Sequence, residues 1–177
     1  MNRRHLLILL TAPGWSPSLA QATSPLPRLA VLEAEMADDH DNPATRAAQH
    51  QRLTELAAHV RQELAAQGLY RVVDLAPAAA LIERLTGQRA ALRDCDPCAD
   101  DIGRALGVDL VMTPWVLKTS ELILTLSLQI YSVRAGRLVH MKSVQMRGNR
   151  DDSWQRAASY LVRDMAERRA RRADYGQ

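Results

Sequence analysis

Between positions 122 and 131 apolar and polar residues alternate, with Leu122, Leu124, Leu126, Leu128 and Ile130 on one side and Ile123, Thr125, Ser127, Gln129 and Tyr131 on the other. A period of two is that of a strand with one face packed on a core. The tripeptide Arg134-Ala135-Gly136 predicts a hairpin into a strand over 137–147. V-D-L-V-M-T-P-W-V, from Val108, predicts the strand before, so the three form an antiparallel meander. Pro114 has no N–H to give to a ladder, so that strand lies near an edge there or carries a bulge.

Upstream the rhythm is helical. Leu53, Leu56, Ala57, Val60 and Leu64 fall on one face of a helix that Asn42 caps, Pro43 opens and Gly68 stops, running to about Gln67. L-A-V-L-E over 29–33 predicts a strand before it, followed by the loop A-D-D-H-D-N-P, and Y-R-V-V-D over 70–74 predicts a strand after it. Pro77 starts a short alanine-rich helix that Gly87 ends, and 88–94 reads as loop. The best-bracketed element has Asp96 as N-cap, Pro97 in the first turn and Gly107 as stop, a helix of roughly ten residues. A last helix from about Asp151 carries Trp154, Ala158, Leu161 and Met165 on one face, with acids at its start and arginines at its end to suit the dipole. Together these predict a single α+β domain: a mixed five-stranded sheet, parallel crossovers then the antiparallel meander, with helices mainly on one face. The helix before the meander is free to cross to the other side.

The first residues change the picture. Arg3 and Arg4, the apolar run 6–10, the break at Pro13-Gly14 and Ala20-Gln21-Ala22 read as a secretory signal peptide over 1–22, cleaved after Ala22 to leave one domain over 23–177. The apolar run is too short to span a bilayer and no later one is long enough, which argues against a transmembrane segment. The expected location is the periplasm. Without the leader 155 of the 177 residues remain, the size of one domain. The formal charge of +3 includes Arg3 and Arg4, so the mature chain carries +1 and is not strongly basic. Eight arginines between 147 and 172 stand against Asp151, Asp152, Asp164 and Glu167, the pattern of a solvated helix face. An exported chain meets little nucleic acid, so none is expected as a partner.

Cys95 and Cys98 are the only cysteines. In an oxidising compartment a structural disulfide is the default, and closing four residues contributes about 2 kcal/mol by the chain-entropy model. A redox-active dithiol competes: a helix N-terminus favours a Cys98 thiolate, while Asp94, Asp96, Asp100 and Asp101 oppose it. A metal site would need two further ligands, and His40, His50, His59 and His140 stand at no zinc spacing from the pair. Covalent haem needs histidine where Ala99 stands. Asp38, Asp39, His40 and Asp41 lack the regular oxygen spacing of a calcium loop. With no Gly-rich phosphate loop and no nucleophile elbow, no cofactor is expected and no catalytic residue is assigned.

The motifs L-A-V-L-E, Y-R-V-V-D-L, C-x-x-C-x-x-x-I-G-R-A-L-G-V-D-L-V, W-V-x-K-x-S-x-L-I-L, G-R-L-V and R-G-N-x-D-x-S-W span nearly the whole mature chain. In them the sequence resembles a bacterial periplasmic family of unknown function, and more remotely it is similar to the TolB amino-terminal domain and to curli-assembly-type envelope proteins. One departure is the absence of phenylalanine near Ala34, where the nearer family tends to carry it. The resemblance implies a non-catalytic interaction or accessory module for an envelope or periplasmic protein, and points to one beside a quinoprotein-type oxidation system. Trp115, Lys118, Arg147, Asn149, Asp152 and Trp154 match the family's motifs and are residue types that contact partners. Core packing for Trp154, and turn and cap chemistry for Asn149 and Asp152, are the competing readings. The meander would leave one sheet face, with Thr125, Ser127, Gln129 and Tyr131, free for a partner. A dithiol protein and a small-molecule carrier stay open as alternatives.

Overall fold

The computed structural model describes residues 25–38, 42–88 and 91–177. The expected signal peptide lies outside the described residues, as do Asp39, His40 and Asp41. The first strand, β1, is Arg28–Val31, with three of its four side chains buried. The chain does not loop away after it, because Glu35–Asp38 forms a further strand, β2. Both run parallel to β4, Leu110–Lys118, with Val31 opposite Met112 and Glu35 opposite Trp115. Val31 to Glu35 is four steps along the chain against three from Met112 to Trp115, so β1 and β2 are nearly one strand with a residue inserted, as in a bulge.

Pro114 explains where the insertion falls. Leu32 N donates to Met112 O at 2.9 Å, so the even-numbered backbone groups of β4 point toward β1 and β2. The N–H that Pro114 lacks would have pointed into the irregular residues 32–34. On its other side β4 pairs without interruption with β5, Ile123–Ser132, and Pro114 sits opposite Leu128. The irregularity expected in the proline's own strand is therefore carried by its neighbour.

Asn42 caps α1, Pro43–Ala66, by accepting the Ala44 N–H at 3.0 Å, and Gly68 leaves it at φ 61°. The strand expected over 70–74 shrinks to β3, Arg71–Val72. Tyr70 is drawn inward to donate to Gly176 O, and Asp74 accepts from Ala76 N at 3.1 Å, an Asx turn that ends the strand. A 3-10 turn at Ala76–Ala78 leads into α2, Ala79–Gln88. The expected end at Gly87 is met within one residue, at Gln88. In α3, Asp96–Leu106, the N-cap is Cys95, not Asp96: its Sγ accepts the Cys98 N–H at 3.2 Å. Gly107 stops α3 at φ 59°, as expected. β6 is Arg137–Arg147 and α4 is Asp151–Arg171.

The sheet order is β3-β1-β4-β5-β6, with β2 also beside β4, giving six strands where five are expected. From β1 through α1 to β3 the chain moves one way across the sheet; from β3 through α2 and α3 to β4 it moves back past β1. Two right-handed crossovers in opposite directions place their helices on opposite faces. The long helices α1 and α4 cover one face, around Leu29, Met112, Leu126 and Trp154. On the other, α3 covers Ala30, Val111 and Tyr131 with Ile102 and the two cysteines. Gly103 makes this approach possible, since a Cβ there would stand 2.3 Å from Val133 Cγ2 and 3.2 Å from Val111 Cγ2.

Candidate interaction surface

Lys118 lies on the same side of β4 as Leu110, Met112 and Val116, so the strand's period turns it inward, and its side chain is 3% exposed. A buried ammonium requires carboxylates. Asp38, at the end of β2, supplies one at 3.1 Å and Glu121, in the β4–β5 turn, another at 2.7 Å. Burial pulls the Lys118 pKa down, but the bonds to Glu121 and Asp38 outweigh it and leave the pKa raised above 10.5. Glu121 is held below its ordinary 4.5 by hydrogen bonds from Lys118 and Asn149.

The network continues from there. Asn149 donates to Glu121 at 2.8 Å, while its Oδ1 accepts from Trp154 Nε1 at 3.1 Å and Arg52 at 3.4 Å. Arg52 also reaches Asp151 at 2.7 Å. Lys118, Asn149 and Trp154 are thus brought together, tying β2, β4, α1 and α4 at one end of the sheet. Trp154 is 2% exposed, a core ring with its polar edge on Asn149. Asp152 lies apart, paired with Arg150 at 2.9 Å and Arg156 at 2.7 Å, whose hydrogen bonds hold its carboxyl at about 2.

Trp115 points to the opposite face. Arg93 lies 5.4 Å from its ring centroid, and Glu35 fixes that arginine's segment by accepting from Leu92 N at 2.6 Å and from Arg93 Nη1 at 3.1 Å. Gln129 donates to Arg93 O at 2.6 Å. The Trp115 Nε1 is buried without a hydrogen-bond partner. Three of the four residues expected to be free are therefore covered or engaged: Tyr131 is buried under α3, Gln129 is held by the Arg93 segment, and Ser127 is buried and bonded to Ser143 at 2.7 Å. Glu35, Arg93 and Arg52 have no motif of their own; Glu35 could be found only by extending the alternation of β1 past Leu32.

What stays open is the far half of that face. Leu122 lies in the turn before β5, not on the strand's core side as its place in the alternation predicts, and is 72% exposed; on the open face Met141 is 57% exposed and Ile123 44%. A depression of about 340 Å³ lies among Leu122, Ile123, Gln145, Arg147 and Gly148. β6 is an edge strand of the described sheet, and Met141, Ser143, Gln145 and Arg147 share this face, opposite Gln129, Ser127, Thr125 and Ile123 of β5. Cys95 and Cys98 lie elsewhere, under α3, with sulfurs 1.96 Å apart and residues 7% and 2% exposed. Among the described residues no helix is long and apolar enough to cross a membrane.

No curated protein matches the chain. Among solved structures, TolB from Acinetobacter baumannii is 16% identical over 87% of this chain and 30% of its own, with a TM-score of 0.49. The LpoB C-terminal domain from Salmonella enterica is 16% identical over 71% and 86%, at 0.48. Lipoprotein GNA1162 from Neisseria meningitidis is 15% identical over 82% and 97%, at 0.46. The remote similarity to TolB implied by the motifs is thus found. The model of a family of unknown function matches residues 27–165, most of the chain, and the protein belongs to that family, DUF3280, "Protein of unknown function (DUF2380)".

Proposed function

We propose that the chain is exported to the periplasm and acts there, without catalysis, as an accessory module that docks on another envelope protein. The observation that carries this reading is the open half of the sheet face. Leu122 and Ile123 expose apolar surface beside Arg147 at one end of that face, and Met141 exposes more of it six residues along the edge strand from Arg147, with Ser143 and Gln145 between. Exposed apolar groups set among polar ones are the usual composition of a contact surface. The edge also offers an unpaired row of backbone groups for strand addition. Export rests on the leader motif, and a place beside a quinoprotein-type oxidation system rests on the motif resemblance alone. Burial of both cysteines favours a structural bond over a dithiol catalyst, because exchange needs an accessible sulfur.

The test is photocrosslinking in cells, with a photoreactive side chain placed at Met141 or Ile123 and, as control, at Arg84 on α2. The expected result is one discrete adduct from Met141 and Ile123, absent from Arg84 and abolished by Ile123→Asp at the Met141 position. Adducts that are absent, or the same from all three positions, overturn the docking surface. The mass of the captured protein decides whether it belongs to an oxidation system.

A further inference from the structure

At the other end of the sheet, where the parallel strands begin, an open cleft of about 780 Å³ lies between the segment entering β1, the start of β4 and the end of β5. We propose that this cleft binds a small organic polyanion, a molecule carrying two or more carboxylate or phosphate groups on a short apolar frame. Three arginines line it, Arg28, Arg71 and Arg134, against one side-chain carboxylate, Asp109, and Gln177, the last residue of the sequence, whose main-chain carboxylate adds a second negative group. The side-chain carboxylate is already engaged, since Asp109 Oδ2 accepts the backbone N–H of Arg28 at 2.7 Å. The Arg28 guanidinium is steadied by donating to Leu106 O at 3.3 Å.

Arg71 and Arg134 differ from it. Among the described residues neither side chain has an ion pair or hydrogen bond, although both are tied by backbone to fixed strands: Arg71 N donates to Pro27 O at 2.9 Å, and Arg134 follows Val133, whose N–H donates to Asp109 O at 3.0 Å. With three arginines on its walls the cleft carries an excess of positive charge, which favours the entry of an anion. Each guanidinium presents the planar fork that takes a carboxylate or phosphate by two bonds. Leu26, 49% exposed, and Leu110 supply an apolar wall for the ligand's frame. The volume suits a molecule of metabolite size. This site is separate from the docking surface, and either can fail without the other.

The experiment is titration calorimetry of the purified protein at low salt with citrate, pyrophosphate and, as a monovalent control, acetate. Citrate and pyrophosphate arms separate a carboxylate ligand from a phosphate one. At least one should bind, weaken as salt is raised, and lose about tenfold or more in affinity in the double variant Arg71→Ala/Arg134→Ala. Neither side chain has a partner to lose among the described residues, so the variant's melting temperature should match the parent's. Arg84→Ala/Arg163→Ala, which removes two exposed arginines elsewhere, should bind as the parent does. Absence of binding by both polyanions, equal binding of acetate, or equal loss in both double variants overturns the proposal.

Discussion

Lys118 is the residue on which the polar end of the molecule depends. Replacing it with methionine keeps the stem's packing but leaves Glu121 and the buried end of β2 without their ammonium. The expected cost is about 2–4 kcal/mol in urea unfolding, below the full value for a broken buried pair because Glu121 is 55% exposed and can rehydrate. The pH profile follows from the two shifts. The lowered Glu121 pKa contributes stability above 4.5 that is lost as pH falls through the depressed value; the raised Lys118 pKa contributes below 10.5 and is lost as pH rises through the raised one. The stability gap between parent and Lys118→Met should be flat between those limits and narrow on both sides. A gap that stays unchanged down to pH 3 would show that the cost is packing and not charge. This site was partly legible: the alternation of β4 places Lys118 inside, and R-G-N-x-D-x-S-W supplies Asn149 and Trp154. Asp38 and Arg52 were not, because they reach the site only through strand pairing and helix packing over long sequence separations.

Elements were legible where local chemistry decides them. Asn42 with Pro43, Gly68, Gly107 and the turn before Arg137 set helix and strand ends that the structure keeps within a residue or two. They were not legible where a neighbour decides. E-M-A-D has little strand character; it becomes β2 because β4 offers an open edge beyond Pro114. Gly87 stands one residue before the end of α2, as read, but without the left-handed φ of a helix-stopping glycine. Gly103 is the converse, a helical glycine with a reason. Gly103→Ala gains about 1 kcal/mol of helix propensity, but its Cβ meets Val133 at 2.3 Å. A net loss of about 1–3 kcal/mol is expected from the overpacking. Combining it with Val133→Ala should recover part of that loss, giving a coupling of opposite sign to the single costs. Strict additivity of the two substitutions would mean that α3 does not rest on Val133.

At the scale of the whole molecule, two apolar cores share one sheet. β4 serves both, sending Met112 into the core beneath α1 and α4 and Val111 into the one beneath α3. Neither face can lose its helices without exposing strands that the other face needs, so the fold should unfold as a unit. The chain carries its own reporters. Apart from Trp15, which lies outside the described residues, its tryptophans are Trp154, deep in the first core, and Trp115, on the opposite face beneath Arg93. In Trp115→Phe the fluorescence follows the α1 and α4 side, and in Trp154→Phe it follows the other. Because each substitution shifts stability, the comparison is made within each variant, between its fluorescence and its far-ultraviolet circular dichroism in urea. The two transitions should coincide in both proteins. A Trp115 signal that changes at lower urea than the backbone signal would mean that the α3 face opens independently, leaving the half of the sheet proposed for docking without a rigid support.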